Sequence, residues 1–350
     1  MNKALNRRSV LKLAGGILAT APFVQAARFA QASSGMGGPN FDAEVLPARR
    51  PFGRAIHGNL VVREQPSSTA KAVRQLSFNE VVAVLGQVDS GEAKAYNPIW
   101  YKLQDGYVHS GFVQPCDNVT NPVVPLAPGE AFWGEITVPL TEARAAADPN
   151  ARLRYRYYYG CVFHVIASLA DEQGTWWYQI SDENAGNGFF ARAEQIRRID
   201  AGEFAPISPD VPTEAKRVEI DLAKQLVYAY EGDYQVFTAR TATGMSGMRT
   251  TPGLHRVIKK TPSRHMTGGA GSGYYDLPGI AWCTYFTSSG IALHATYWHN
   301  DYGRPRSHGC VNLLPEDAKW LFRWATPPSP YDQRWTRPNG DSLPSTVKVF

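Results

Sequence analysis

The sequence predicts an all-β protein, with small strand-built units leading into a larger β domain. Aromatic residues make up 12% of the 350 residues, and there are 31 Gly and 25 Pro. No long helical heptad is present. Instead, apolar residues fall in short alternating runs cut by turn residues, the pattern of short strands. An apolar content of 43% against 19% charged fits folded material, and the length allows two or three domains. The formal charge of +5 is mild. Without a Lys/Arg run it argues against a nucleic-acid partner, although it suits an anionic surface such as a cell wall.

Taken in order, residues 1–32 read as a signal peptide. Arg7 and Arg8 precede the apolar, small-residue stretch from Leu13 to Val24. The paired arginines resemble the twin-arginine type, and the apolar run falls short of the roughly 20 residues that span a bilayer. The expectation is a protein exported to the cell wall or periplasm. Its four cysteines, Cys116, Cys161, Cys283 and Cys310, allow two disulfides by arithmetic alone. A Cys116–Cys161 pairing stays open, and Cys283 reads as a buried thiol in a strand-like run.

After a linker over 33–54, residues 55–119 carry the short runs Leu60–Arg63, Val81–Leu85, Trp100–Leu103 and Tyr107–His109. This segment resembles a bacterial Src-homology-3-type barrel. Residues 120–129 form a second linker. Residues 130–200 repeat the plan more loosely: Glu135–Pro139 stands for the opening strand, Trp177-Tyr178 matches Trp100-Tyr101, and Gly188–Ala191 matches Gly106–His109. Trp100, Tyr101, Trp177 and Tyr178 alternate between core and surface as strand residues do. His57, His109 and His164 show no partner pattern and read as structural. A Pro-rich linker over 201–216 leads into the last domain.

In residues 217–350, Val218–Leu222 and Gln225–Tyr230 read as a hairpin. Further strands are predicted at Val236–Thr241, Leu254–Ile258, Trp282–Phe286 and Ile291–His294. Pro315–Trp324 is the one helix, with Pro at its start, Glu316 and Asp317 in its first turn and Arg323 near its end. Thr346–Phe350 reads as a closing strand.

The chemistry gathers late in the chain. His294 ends an apolar run, and Ser307-His308-Gly309-Cys310-Val311-Asn312 follows after a polar loop. A thiol attacks only as its thiolate, so a reactive cysteine needs a base or a cation nearby, and Cys310 has His308 two residues before it and His294 further upstream. Together with Thr251-Pro252-Gly253 and the opening hairpin, these residues are similar to the L,D-transpeptidase catalytic domain, a β-sandwich enzyme of bacterial cell walls. The resemblance covers roughly 217–350. It implies Cys310 as nucleophile and His294 as general base, with the Ala295 carbonyl orienting its ring. His308 and Gly309 would shape the pocket, their amides joining that of Cys310 as an oxyanion hole. Ser307, Asn312, Tyr297, Trp298 and Tyr285 are candidates for substrate contact, with Arg249, Thr251, His299 and Tyr302 behind them.

The implied reaction is acyl transfer between peptidoglycan stem peptides, through a thioester on Cys310. It needs no cofactor and no metal, and carbapenem-type inhibitors are expected to acylate the same sulfur. Water as acceptor would make the protein a carboxypeptidase. Two further readings compete: a zinc site built from His294, His299, His308 and Cys310, and a non-catalytic wall-binding protein that works through its barrels.

Overall fold

The computed structural model describes residues 44–92, 96–184, 186–340 and 343–350. The expected signal peptide lies outside the described residues. Among the described residues the secondary structure is β apart from one α-helix, Pro315–Trp324, and several short 3-10 turns. No helix among the described residues is long and apolar enough to cross a membrane.

The two N-terminal modules share one pairing plan. In the first, Phe52–Ala55 pairs with both Val81–Ala83 and Val113–Cys116. Leu60–Arg63 pairs with Ala72–Leu76 and Tyr107–His109, and Ile99–Lys102 lies between Tyr107–His109 and Gly86–Asp89. The second module repeats each ladder: Phe132–Ile136 against Val162–Ala170 and Ile196–Arg198, Leu140–Arg144 against Leu153–Tyr158 and Gly186–Arg192, and Trp176–Asp182 between Gly186–Arg192 and Val162–Ala170. One long strand, Val162–Ala170, replaces two short ones of the first module and joins all seven strands into a single sheet. In both copies a 3-10 turn, Ser110–Phe112 or Ala193–Gln195, precedes the last strand.

Two details differ from the expectation. The first module starts with Phe52–Ala55, inside the segment read as linker. Glu135–Pro139 is not one strand: the chain pairs over Phe132–Ile136, turns through Pro139 and pairs again from Leu140, because proline has no N–H to give a ladder.

The last domain is a sandwich of two sheets. The first runs Tyr234–Arg240, Leu226–Glu231, Lys216–Asp221, Thr346–Val349 and Gly253–Arg256. The second runs Lys259–Gly268, Tyr275–Tyr285, Ala292–Ala295 and Val311–Leu313. Alternation explains the core. Val218, Ile220, Val227, Ala229, Val347 and Val349 point inward from the first sheet and meet Ala281, Leu293, Val311 and Leu313 from the second, with Leu321 and Phe322 of the helix. The helix lies against Tyr275–Tyr285 and Ala292–Ala295. Pro at its first position, acids in its first turn and Arg323 in its last suit the helix dipole.

The three units do not sit apart like beads. Trp133, Val162, Ile199 and Phe204, from the second module and its exit, belong to the same core as the sandwich. Ile280, Cys283, Tyr285, Ala292 and Tyr297 of the sandwich complete the core of the second module. Gly279 marks the seam: its φ is +68°, and a Cβ there would lie 2.3 Å from the ring of Phe163. Trp282, on the same strand, keeps a positive φ of 60° while wholly buried against Phe204 and Phe322. A non-glycine residue held in that region carries local strain that the surrounding packing must hold in place.

Two buried lysines tie off the end of the helix. Lys216 Nζ donates to the carbonyls of Ile207 (2.9 Å) and Trp324 (3.2 Å), and Lys260 Nζ donates to those of Ala325 (2.7 Å) and Pro327 (2.8 Å). Burial, with the charge of Lys216 added, pulls the Lys260 ammonium down to about 7. Replacement by Met would orphan two buried carbonyls, so Lys260→Met is expected to lose roughly 2 kcal/mol. The free ammonium of an unfolded chain titrates near about 10.4. Between those two values the unfolded chain binds more protons, so the advantage of the wild type over Lys260→Met grows as pH rises from 7 towards 10. Urea unfolding of both proteins at pH 7 and pH 9.5 checks this, and equal stability at both would contradict it.

Candidate active site

Two short parallel strands make the site. Ala292–Ala295 and Val311–Leu313 pair with Leu293 opposite Val311, His294 opposite Asn312 and Ala295 opposite Leu313. Cys310 is the residue just before the second strand, so the pairing brings its turn beside the strand that carries His294. Gly309 turns the chain there with φ +124°, a value that L side chains rarely adopt. Its carbonyl accepts from Thr250 Oγ1 at 2.7 Å, and its N–H donates to Ser307 Oγ at 3.0 Å. Ser307 Oγ in turn donates to the Cys310 carbonyl at 2.5 Å. The turn is therefore braced from inside by Ser307 and from outside by Thr250.

Behind the turn lies a line of buried hydrogen bonds, and its donors and acceptors fit one assignment. The Asp301 N–H donates to His299 Nδ1 at 3.3 Å, which leaves His299 Nε2–H to donate to Asn312 Oδ1 at 3.2 Å. Asn312 Nδ2–H then donates to His294 Nε2 at 3.3 Å. That leaves His294 Nδ1–H to donate to the Ala295 carbonyl at 2.8 Å. His294, His299, Asp301 and Asn312 are all buried. Both imidazoles are thus held neutral, with their tautomers fixed by the neighbouring groups. Burial pulls each ring down to about 4, opposed for His294 by the Ala295 carbonyl and for His299 by Asn312.

Cys310 is half-buried, and its thiol contacts the Gly290 carbonyl at 3.8 Å. Burial pushes the thiol up to about 11, while the Ala292 backbone N–H, turned toward the sulfur, works the other way. With the thiol raised and the imidazole lowered, both groups rest neutral. Proton transfer to His294 Nε2 would have to displace its bond from Asn312, which at 3.3 Å is long.

The other sequence-predicted residues divide into two groups. His308 is exposed, its ring 5.1 Å from that of Tyr275, and Trp298 is half-buried with its ring 5.9 Å from that of His294. Both sit at the site's surface. Tyr297 is buried against Tyr158 and Trp298, Tyr285 is buried in the same core, and Ser307 and Asn312 are spent on internal bonds. These four brace the site from within; the hydrogen bonds of Ser307 and Asn312 leave them little to offer a ligand. Tyr302 is likewise internal, its hydroxyl bonded to the Leu313 carbonyl at 3.0 Å. The Gly309 amide, read as a candidate for the oxyanion hole, is occupied by Ser307 Oγ.

Sequence reasoning missed the first module's part. Tyr96 Oη donates to Asp301 at 2.6 Å, and Asn300 Nδ2 donates to Tyr101 Oη and the Ser110 carbonyl, both at 3.1 Å. Arg54 donates to the Tyr297 carbonyl at 2.6 Å. The loop joining His294 to Cys310 is therefore clamped by the barrel. All four cysteines are free thiols, so the pairing of Cys116 with Cys161 left open by the sequence does not form. Among the described residues no three His, Cys, Asp or Glu side chains gather as metal ligands would.

Comparison with known proteins finds two family matches. Residues 215–340 match the family model of the L,D-transpeptidase catalytic domain, and residues 58–114 match that of the bacterial SH3 domain. No curated protein matches the chain. Among solved structures, it is similar to a mutant of the Enterococcus faecium L,D-transpeptidase at 22% identity, over 39% of this chain and 50% of that one, with a TM-score of 0.32. An L,D-transpeptidase from Stackebrandtia nassauensis is 26% identical over 43% and 63%, with a TM-score of 0.28. L,D-transpeptidase 3 from Mycobacterium tuberculosis, in complex with a faropenem-derived adduct, is 16% identical over 47% and 74%, with a TM-score of 0.32. The chain spans about half the length of the first of these relatives.

A neutral thiol has a kinetic signature. Alkylation of Cys310 by iodoacetamide is expected to be slow at pH 7 and to climb steadily to pH 10, because only the thiolate reacts. Peptide mapping after timed alkylation reads this. A rate that is flat from pH 5 to pH 8 would mean a preformed thiolate–imidazolium pair.

Proposed function

We propose that the protein is a cysteine-dependent acyltransferase that acts on peptidoglycan stem peptides, an L,D-transpeptidase. The observation that carries this reading is the pairing of the His294 strand beside the Cys310 strand, with the His294 ring held by the Ala295 carbonyl through Nδ1. The match of residues 215–340 to the L,D-transpeptidase catalytic domain supports it.

In the first half-reaction the Cys310 thiol gives its proton to His294 Nε2 as the sulfur attacks the carbonyl of an L-residue in the donor stem. The C–S bond forms, and the oxygen takes up negative charge. With the Gly309 amide occupied, the amides of His308 and Cys310 are the donors left in the turn to meet that charge. The C–N bond to the terminal D-amino acid then breaks, and its nitrogen leaves with the proton from His294. In the second half an amine of a neighbouring stem attacks the thioester and gives its proton to His294; the new C–N bond makes the cross-link as the C–S bond breaks, and the sulfur leaves with the proton from His294. Holding the imidazole neutral suits this order, since a base must arrive unprotonated. The paired arginines near the N-terminus support export to the cell wall, where such stems are found.

Mass spectrometry of muropeptides incubated with the wild type and with Cys310→Ala tests the reading. The expected product is a cross-linked dimer that only the wild type makes. Shortened stems alone would make the protein a carboxypeptidase, and unchanged muropeptides would refute the acyl transfer itself. His294→Ala is expected to slow product formation by about 10²- to 10⁴-fold, the usual worth of a positioned general base.

A further inference from the structure

A second cleft lies where the three units meet. It has a volume of about 450 Å³, and its lining includes Arg54 of the first module, Arg154, Arg156 and Tyr158 of the second, and Asp276 and Trp298 of the sandwich. Leu153–Tyr158 is the edge strand of the seven-stranded sheet, and Arg154 and Arg156, two residues apart, share one face of it.

The charge of this cleft is not balanced by the protein. Arg154 and Arg156 are exposed, and neither is in an ion pair among the described residues. The acid opposite Arg156 in register, Glu142, is taken by Arg144. Arg54 is buried, and its guanidinium bonds to Gln114, Asn79 and the Tyr297 carbonyl, all neutral partners, and lies 3.9 Å over the Tyr158 ring. The one carboxylate in the lining named here, Asp276, is bonded to His265 and to Tyr155 Oη. Three guanidinium groups therefore face one carboxylate that is already engaged.

We infer that this cleft is a second binding site, for the acidic peptide part of a muropeptide. The inference rests on the proposed function for the identity of the ligand. Guanidinium groups take carboxylates bidentately, and neither Arg156 nor Arg154, whose guanidinium lies 5.5 Å over the Phe189 ring, has a carboxylate partner among the described residues. The half-buried ring of Trp298 offers an apolar wall to a sugar or peptide segment. The volume fits a ligand of a few residues. The cleft also shares Trp298 with the surroundings of His294. Trp298 lines the cleft and packs 5.9 Å from the His294 ring, and the strand that contributes Asp276 begins at Tyr275, which packs on His308. A stem bound here would be anchored on the same side chain, Trp298, that packs near the His294 ring.

The test uses the full chain with Cys310→Ala, so that nothing turns over. Calorimetry reads its binding of a soluble muropeptide with free carboxylates, with and without Arg154→Gln and Arg156→Gln; both positions are exposed, and neither touches Cys310. The double substitution is expected to weaken binding at least tenfold, and to have no such effect on a muropeptide whose carboxylates are amidated. Unchanged affinity, or an equal loss with the amidated ligand, would overturn the inference. Turnover on the Cys310 background separates the two proposals. If Arg154→Gln/Arg156→Gln turns over muropeptide with unchanged KM, the cleft fails and the acyl transfer stands. If the wild type turns over nothing but binding still depends on the arginines, the acyl transfer fails and the cleft stands.

Discussion

One amide side chain carries much of this site. Asn312 sits between two buried imidazoles, accepting from one and donating to the other, and so decides which nitrogen of His294 keeps its hydrogen. A buried amide that met neither ring would leave unpaired polar atoms in a low-dielectric interior, and so would each histidine. The arrangement is therefore held all at once or not at all. It follows from register: the parallel pairing sets Asn312 opposite His294, and one residue of slippage would turn the amide to the other face. The same register leaves Cys310 just before its strand, in a turn that only glycine at 309 accommodates without strain.

What keeps the far end of this line in place comes from outside the sandwich. His299 is fixed by the backbone of Asp301, and Asp301 is held by Arg304, Arg306 and, from the first module, Tyr96. The barrel that the sequence presents as a separate wall-facing module is thus part of the support of the loop between His294 and Cys310. The second module is joined still more closely, sharing both of its apolar cores with the sandwich. Cores of this kind transmit strain instead of absorbing it, so the three units behave as one packed body from residue 44 onward.

Much of this was legible in the sequence, and the reasons are local. Alternation marked the strands of the sandwich, Pro and charge placement marked the helix at Pro315–Trp324, and the crowding of His, Gly and Cys marked the turn. The repeat of Trp-Tyr in the two modules pointed to a plan that the strand pairings share. What stayed hidden depends on contacts across long stretches of chain. Arg54 and the Tyr297 carbonyl are 243 residues apart, and nothing in either segment announces the other. Tyr297, in the loop between the two motif halves, and Tyr285, on a predicted strand, read as candidates for substrate contact; the second module covers both and turns them into core. Strand boundaries failed at Glu135–Pro139, where alternating Ile136 and Val138 run straight through a proline-ended turn.

The central claim is that Cys310 is the nucleophile and that the neutral imidazole of His294 takes its proton. Timed intact-mass analysis with a carbapenem tests it without needing the natural acceptor. The account predicts one covalent adduct on the wild type, none on Cys310→Ala, and the same adduct formed about 10²- to 10⁴-fold more slowly on a folded His294→Ala. No adduct on the wild type, or an equal one on Cys310→Ala, would contradict it.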